Sequence, residues 1–220
     1  MTKEIEQKIG YTFKDKNLLQ TAFTHSSFAY VNGLQSNERL EFLGDSVLNF
    51  CTTQYLFENF NFSEGESSKI RAYLVSSDYV SQFVQKNNLQ NFLKCDNFNP
   101  TNSTNVMGDL FEAIVGAMFL DGGLDQCKNF IHSSLSFSAD LINSVLSKTR
   151  DHKTELQELM QSKNMFFEYV LLEKTGPAHL PKFKVQLNID NNLFFECEGK
   201  SKKEAENLCA KEAMEKLKIS

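Results

Sequence analysis

The sequence has no tryptophan, no CxxC pair and no apolar run near the roughly 20 residues that a membrane-spanning helix needs. A membrane partner is therefore not expected. The five cysteines, Cys51, Cys95, Cys127, Cys197 and Cys209, are odd in number and widely scattered, which argues against both a disulfide framework and a zinc site. A reducing cytoplasm is the expected compartment, and the start, Met1-Thr2-Lys3-Glu4-Ile5-Glu6, is unlike a secretion signal. An excess of basic residues is also missing. The formal net charge is −5, which taken whole speaks against a nucleic-acid partner. The charge is unevenly spread: residues 1–148 carry 11 basic and 16 acidic side chains, whereas residues 149–220 carry 12 of each. Within the latter, Lys200-Ser201-Lys202-Lys203 is locally basic. Phosphates respond to the local field, so the overall balance does not exclude RNA.

In place of tryptophan there are twenty phenylalanines, and 41% of the 220 residues are hydrophobic. That is enough for one large core or two modest ones. Helical periodicity predicts helices near 3–9, 15–23, 36–59, 66–74, 77–87, 104–120 and 124–146, with Asp15 and Ser63 as N-caps and turns at Gly65 and Gly122-Gly123. The Asn-rich stretch 96–104 reads as a loop. The pattern changes at Ser147-Lys148-Thr149-Arg150-Asp151, which is expected to be a linker between domains at 1–146 and 152–220. Beyond it, 153–163 reads as a helix and 166–172, 182–189 and 193–197 as strands, with a tight turn at Asn191-Asn192. A last helix, 201–217, is expected to bury Ala205, Leu208, Ala213 and Leu217. The predicted fold is multidomain: an all-α domain followed by an α+β unit of order α-β-β-β-α.

The chemistry concentrates in Asn37-Glu38-Arg39-Leu40-Glu41-Phe42-Leu43-Gly44-Asp45-Ser46-Val47-Leu48. Glu38, Glu41 and Asp45 are three and four apart, so they project from one helix face with Cβ atoms roughly 5–6 Å apart. The apolar residues between them predict a well-buried helix, and buried carboxylates need partners or a metal. A second pair, Asp109 and Glu112, lies on another apolar helix whose Gly108, Ala113, Gly116 and Ala117 would admit a close neighbour. If the two helices pack, Glu41, Asp45, Asp109 and Glu112 converge. Two carboxylates ~4 Å apart repel by about 4 kcal/mol at an effective dielectric of 20. Four such groups call for shared protons or a divalent cation, and an all-oxygen set favours Mg²⁺ or Mn²⁺. The plain alternative is a solvated helix face, or an ion pair of Glu38 or Glu41 with Arg39 or Arg71. A di-iron carboxylate site is disfavoured, because none of His25, His132, His152 or His179 follows a Glu by three residues.

Residues 37–48 closely resemble the signature of the ribonuclease III family, endonucleases specific for double-stranded RNA. The resemblance extends through Thr24-His25-Ser26-Ser27-Phe28, Glu64-Gly65-Glu66, Arg71-Ala72 and Gly108 to Asp121. It covers nearly the whole chain and is closer to the compact bacterial members than to Dicer or Drosha. It implies that Glu41, Asp45, Asp109 and Glu112 bind Mg²⁺, with Mn²⁺ able to substitute and no other small-molecule cofactor. Asp45 and Glu112 would be catalytic, and Glu38 and Glu64 supporting acids. Phe42 would insert into a partner subunit, although by itself it also reads as a core residue. The implied products carry 5′-phosphates and 3′-hydroxyls, and the implied substrates are ribosomal RNA precursors and some structured messenger RNAs. The family often has Leu where Ser67 stands, and basic residues where Asn102-Ser103-Thr104-Asn105 stands.

The C-terminal unit resembles a double-stranded RNA-binding domain. Thr154, Gln157, Glu158 and Gln161 share one helix face that suits a shallow minor groove, or equally a solvated surface. The resemblance makes His179, in Gly176-Pro177-Ala178-His179-Leu180-Pro181, a second minor-groove contact. It makes Lys200, Lys202 and Lys203, with backbone N–H groups at the start of the last helix, the phosphate contacts. At position 206 a Glu stands where many such domains have Lys. The expected activity is a homodimeric endoribonuclease; the alternative is a binding protein that regulates duplex RNA without cutting it.

Overall fold

The computed structural model describes residues 2–96, 99–149, 152–177, 180–190 and 192–218. The chain divides into two compact units at Thr149/Arg150. The first unit holds α1 (Thr2–Ile9), α2 (Lys16–Ala22), α3 (Ser26–Asn32), α4 (Glu38–Asn59), α5 (Glu64–Leu74), α6 (Ser77–Lys86), α7 (Thr104–Gly122), α8 (Leu124–Ser134) and α9 (Ala139–Thr149). Two short 3-10 turns lie at Leu89–Phe92 and Pro100–Asn102.

Local chemistry sets these ends. Asp15 accepts from the N–H of Asn17 at 2.8 Å to cap α2, and Ser63 with Glu66 forms a full capping box on α5. Two features depart from the periodicity. Helix α3 was not foreseen: its seven residues bury only Ala29 and end at Gly33 in the left-handed region. The single helix expected over 124–146 is two helices, broken at residues 135–138 with Ser136 at φ 52°. Helix α9 then runs on to Thr149, through the first three residues of the expected linker, whose Arg150 and Asp151 lie outside the described residues.

Helix α7 is the centre of this unit, with ten buried residues and α2, α4, α6 and α8 packed around it. Its small residues decide which neighbours come close. A Cβ on Gly116 would overlap the main chain of α4 at Leu40, and a Cβ on Gly44 would overlap the carbonyl of Glu112. Gly108 serves another neighbour, since its Cβ would lie 2.9 Å from that of Ser77 at the start of α6. A smaller core of Leu56, Ile70, Leu74, Ile142 and Val145, flanked by Tyr55, Phe60, Phe62 and Phe137, joins α4, α5 and α9.

The second unit runs α10 (His152–Ser162), β1 (Phe167–Thr175), β2 (Lys182–Ile189), β3 (Leu193–Gly199) and α11 (Lys202–Lys218). The sheet is antiparallel in the order β1-β2-β3, and Leu172 is the extra residue of a bulge in β1. Val185, Leu187 and Ile189 are fully buried beneath the helices, as their alternation predicts. Between β2 and β3, Asp190 adopts φ 47° and Asn192 N–H donates to Ile189 O; Asn191 lies outside the described residues. Helix α11 buries Ala205, Cys209, Ala210 and Ala213, whereas Leu208 is 40% exposed, contrary to expectation. The apolar stripe is turned by one residue toward Cys209, which packs over β2 and β3 and donates to the carbonyls of Val185 and Phe195.

Candidate active site and nucleic-acid interface

The close crossing of α4 and α7 at Gly44 and Gly116 sets the acids side by side. Glu41 is half-buried, and its carboxyl is raised above the usual range by burial and then by the charges of Asp109, Glu38 and Asp45. Burial also raises Asp109, with His25 acting in the opposite sense. Glu112 responds most. Burial, then Asp45, Asp109 and Glu41, push it up to about 8. Three carboxylates from two helices therefore bear on one half-buried glutamate.

Burial is less complete than the sequence predicted, since Glu38 and Asp45 are exposed. The apolar side chains of α4 divide between two sides: Leu40, Val47 and Leu48 enter the core, while Phe42, Phe50 and Phe57 are 80%, 52% and 86% exposed. Phe42 is thus no core residue. Glu38 accepts from Ser36 Oγ at 2.9 Å, and Asn49 Nδ2 donates to Asp45 Oδ1 at 2.8 Å, fixing that carboxylate. Among the described residues, neither Glu38 nor Glu41 forms an ion pair with Arg39 or Arg71; Arg71 donates instead to Thr53 Oγ1. Glu64 opens α5, accepts from Ser68 Oγ, and lines a cavity of about 510 Å³ with Phe57, Phe60, Phe62, Ser67 and Arg71.

The donor chemistry fits a hard divalent cation: four mutually repelling carboxylates, with no thiol among them and one imidazole nearby. Among the described residues no three such side chains are drawn together tightly enough to hold a metal ion as they stand.

Sequence reasoning did not single out His25 or Asn49. Asn49 was legible as the i+4 neighbour of Asp45. His25 was not, because its place depends on the unforeseen α3. It caps that helix: its Nδ1 accepts from the N–H of Ser27 at 3.1 Å, and its own N–H donates to Lys94 O at 2.9 Å. Asp121, at the far end of α7, is structural. It accepts from Tyr11 Oη and from the N–H groups of Lys14 and Asp15, tying α7 to the approach to α2.

In the second unit, Thr154, Gln157, Glu158 and Gln161 are all exposed on α10, opposite the buried Leu156 and Met160. Lys200, Lys202 and Lys203 are exposed at the start of α11. The backbone donors there are partly spent: Glu204 N–H donates to Ser201 Oγ, and Lys200 N–H donates to the Glu204 carboxylate at 2.7 Å. His179 lies outside the described residues.

Residues 15–138 match a family model described as Ribonuclease-III-like, and residues 152–217 match the double-stranded RNA binding motif. The chain is 40% identical to ribonuclease 3 of Caldanaerobacter subterraneus over all of its length and 99% of that protein. It is 38% identical to ribonuclease 3 of Streptococcus gordonii, over 95% of this chain and 93% of that one. The chain belongs to the ribonuclease III family. It is an endoribonuclease whose helical nuclease domain is followed by a double-stranded RNA-binding domain. Among solved structures it is similar to the nuclease domain of ribonuclease III from Campylobacter jejuni, which was described with flexibility in a region involved in dimer formation. That match has 36% identity and a TM-score of 0.57, and covers 62% of this chain and 96% of that one. Membership of a ribonuclease III family of enzymes leaves the non-cleaving regulator without support. Among the described residues no helix is long and apolar enough to cross a membrane.

Proposed function

We propose that this ribonuclease III family member is a Mg²⁺-dependent enzyme that cuts both strands of duplex RNA as a homodimer, leaving 5′-phosphates and 3′-hydroxyls. The observation that carries the reading is the close α4–α7 crossing at Gly44 and Gly116, which brings Glu41 and Asp45 of one helix to bear on Glu112, with Asp109 beside it on the other. These four acids hold the cation, with Mn²⁺ able to replace it. Bound there, the cation supplies neutralisation of the phosphate and an activated water. Asp45, steadied by Asn49, and Glu112 act at the reacting phosphodiester; Glu38 and Glu64 are supporting acids.

The exposed Phe42, Phe50 and Phe57 support pairing of two copies along α4, with Phe42 of one subunit seated in the cavity beside Phe60 and Phe62 of the other. Thr154, Gln157, Glu158 and Gln161 meet the minor groove, with His179 as a further contact. Lys200, Lys202 and Lys203 meet phosphates, so that A-form shape is read over about 16 base pairs. Substrates are ribosomal RNA precursors and structured messenger RNAs. The odd number and wide scatter of the five cysteines support a reducing cytoplasm as the compartment.

The test is cleavage of a long RNA duplex with Mg²⁺ and with chelator, comparing wild type with Glu112→Gln. The expected result is cleavage by wild type with Mg²⁺ alone, and a variant that binds duplex without cutting it. Brisk cleavage by Glu112→Gln would remove the metal assignment.

A further inference from the structure

Position 206 is where this chain departs from the basic pattern of its RNA-binding domain, and the departure is built into the packing. Glu206 is only 8% exposed although it lies in the first turns of α11 beside the lysines. Its Oε2 lies 2.8 Å from Nζ of Lys153 on α10, and its Oε1 lies 3.9 Å from Nζ of Lys202. The next residue repeats the tie through the main chain, since Lys153 N–H donates to Asn207 Oδ1 at 3.2 Å. The Lys153 ammonium also stands 5.0 Å from the ring centroid of Tyr169 on β1. One carboxylate is therefore shared by a lysine adjoining the polar face of α10 and a lysine of the α11 cluster.

We propose that Glu206 is a specificity-determining positioning residue: it fixes the spacing between the α10 face and the α11 lysines, and so selects A-form duplex RNA over other polyanions. This rests on the assignment of those two faces to RNA made above. A cluster of lysines alone attracts any polyphosphate, because that attraction carries no shape information. Shape is read when minor-groove contacts and phosphate contacts are held at a set separation, and A-form and B-form duplexes present different ones. Glu206 supplies that separation through Lys153, which is bonded closely and at several points. The longer contact to the half-exposed Lys202 leaves that side chain able to exchange its carboxylate for a phosphate. The same carboxylate offsets part of the local positive charge, so it lowers absolute affinity while raising selectivity.

The test uses the full chain in chelator, where binding is separated from cleavage. It measures affinity for an RNA duplex and for a DNA duplex of the same sequence across a salt series. Glu206→Gln and Lys153→Gln change the net charge in opposite directions, yet both break the clamp. Both are expected to lower the RNA-over-DNA preference about tenfold. Glu206→Gln should do so mainly by gaining DNA affinity, with a log–log salt slope steeper by about 1. If Glu206→Gln does not fold, the loss of preference in Lys153→Gln carries the result. An unchanged preference in the folded variants, or opposite shifts that merely follow charge, would overturn the clamp. Wild-type binding by Lys202→Ala with Lys203→Ala would overturn the assignment of the face beneath it, a separate failure.

Discussion

Gly44 of α4 and Gly116 of α7 face each other with no side chain between them; a Cβ on either would stand about 3 Å from the backbone nitrogen of the other, 2.9 Å in one direction and 3.1 Å in the reverse. This contact brings the acids of one helix within electrostatic reach of those of the other. Gly44→Ala or Gly116→Ala must push rigid main chain apart, because the obstructing atoms are carbonyls rather than flexible side-chain ends. Overpacking of this kind costs about 1–3 kcal/mol. Cleavage should fall further than stability does, since separation of the helices spreads the four carboxylates. Chemical denaturation and single-turnover cleavage, measured side by side, check this; equal retention of both would refute it.

Glu112 gives a pH dependence whose sign is fixed. Its folded carboxyl titrates at about 8, against 4.5 for an ordinary glutamate. Between those values the folded chain keeps a proton that the unfolded chain has released. Stability from this group is full below pH 4.5 and is lost as pH rises toward 8. In chelator, the nuclease domain should therefore melt lower at pH 8.5 than at pH 6. Glu112→Gln should remove much of that slope and be about 2 kcal/mol more stable at pH 8.5, after discounting for solvent on its open side. Millimolar Mg²⁺ should raise the wild-type melting temperature at pH 8.5 more than that of the variant. A wild-type slope that survives the substitution would show that Glu112 is not the group responsible.

Much of this was written in the residue pattern. The apolar stripes placed α1, α2 and α4 to α7, and alternation placed β2 with its core residues Val185, Leu187 and Ile189. The 41/45 and 109/112 spacings placed the acids on the helices that do pack together. Helix α3 escaped because it is short and buries one residue, so packing rather than periodicity holds it. The break between α8 and α9 escaped because Ser136 takes a left-handed conformation with no glycine to mark it. The burial of α4 was overread for a third reason. Periodicity reports that a face is apolar, but not whether the chain's own core or another surface covers it. Likewise, Glu206 was visible as a departure in charge and Lys202 as its i−4 neighbour, but its closer partner, Lys153, stands on α10, 53 residues away in sequence.

The α11 lysines lead to a salt prediction. Each phosphate neutralised contributes about 0.9 to the log–log slope of affinity against salt for a regular duplex. Lys202→Ala with Lys203→Ala should therefore flatten the slope by about 2 and weaken binding about tenfold or more at low salt. Cleavage at saturating RNA should change less, because neither side chain is in the nuclease domain. Fluorescence anisotropy over a salt series measures the slope, and an unaltered slope would move the phosphate contacts elsewhere.

Phe42 tests how α4 is used beyond the chain's own core. At 80% exposed it contributes little to the fold of one copy, so Phe42→Ala should leave the melting of the monomer nearly unchanged. In a two-fold dimer each such contact occurs twice. Burying one phenylalanine is worth about 1.5–3 kcal/mol, so losing two removes about 3–6 kcal/mol of association. That is a rise of about 10²–10⁴-fold in the dimer dissociation constant. Sedimentation at micromolar concentration should then show a monomer for Phe42→Ala and a dimer for wild type, while Phe42→Leu retains most of the association. Cleavage should follow the dimer fraction, recovering as the concentration of the variant is raised. A variant that sediments and cuts like wild type at every concentration would take Phe42 out of the interface and leave its exposure to another partner.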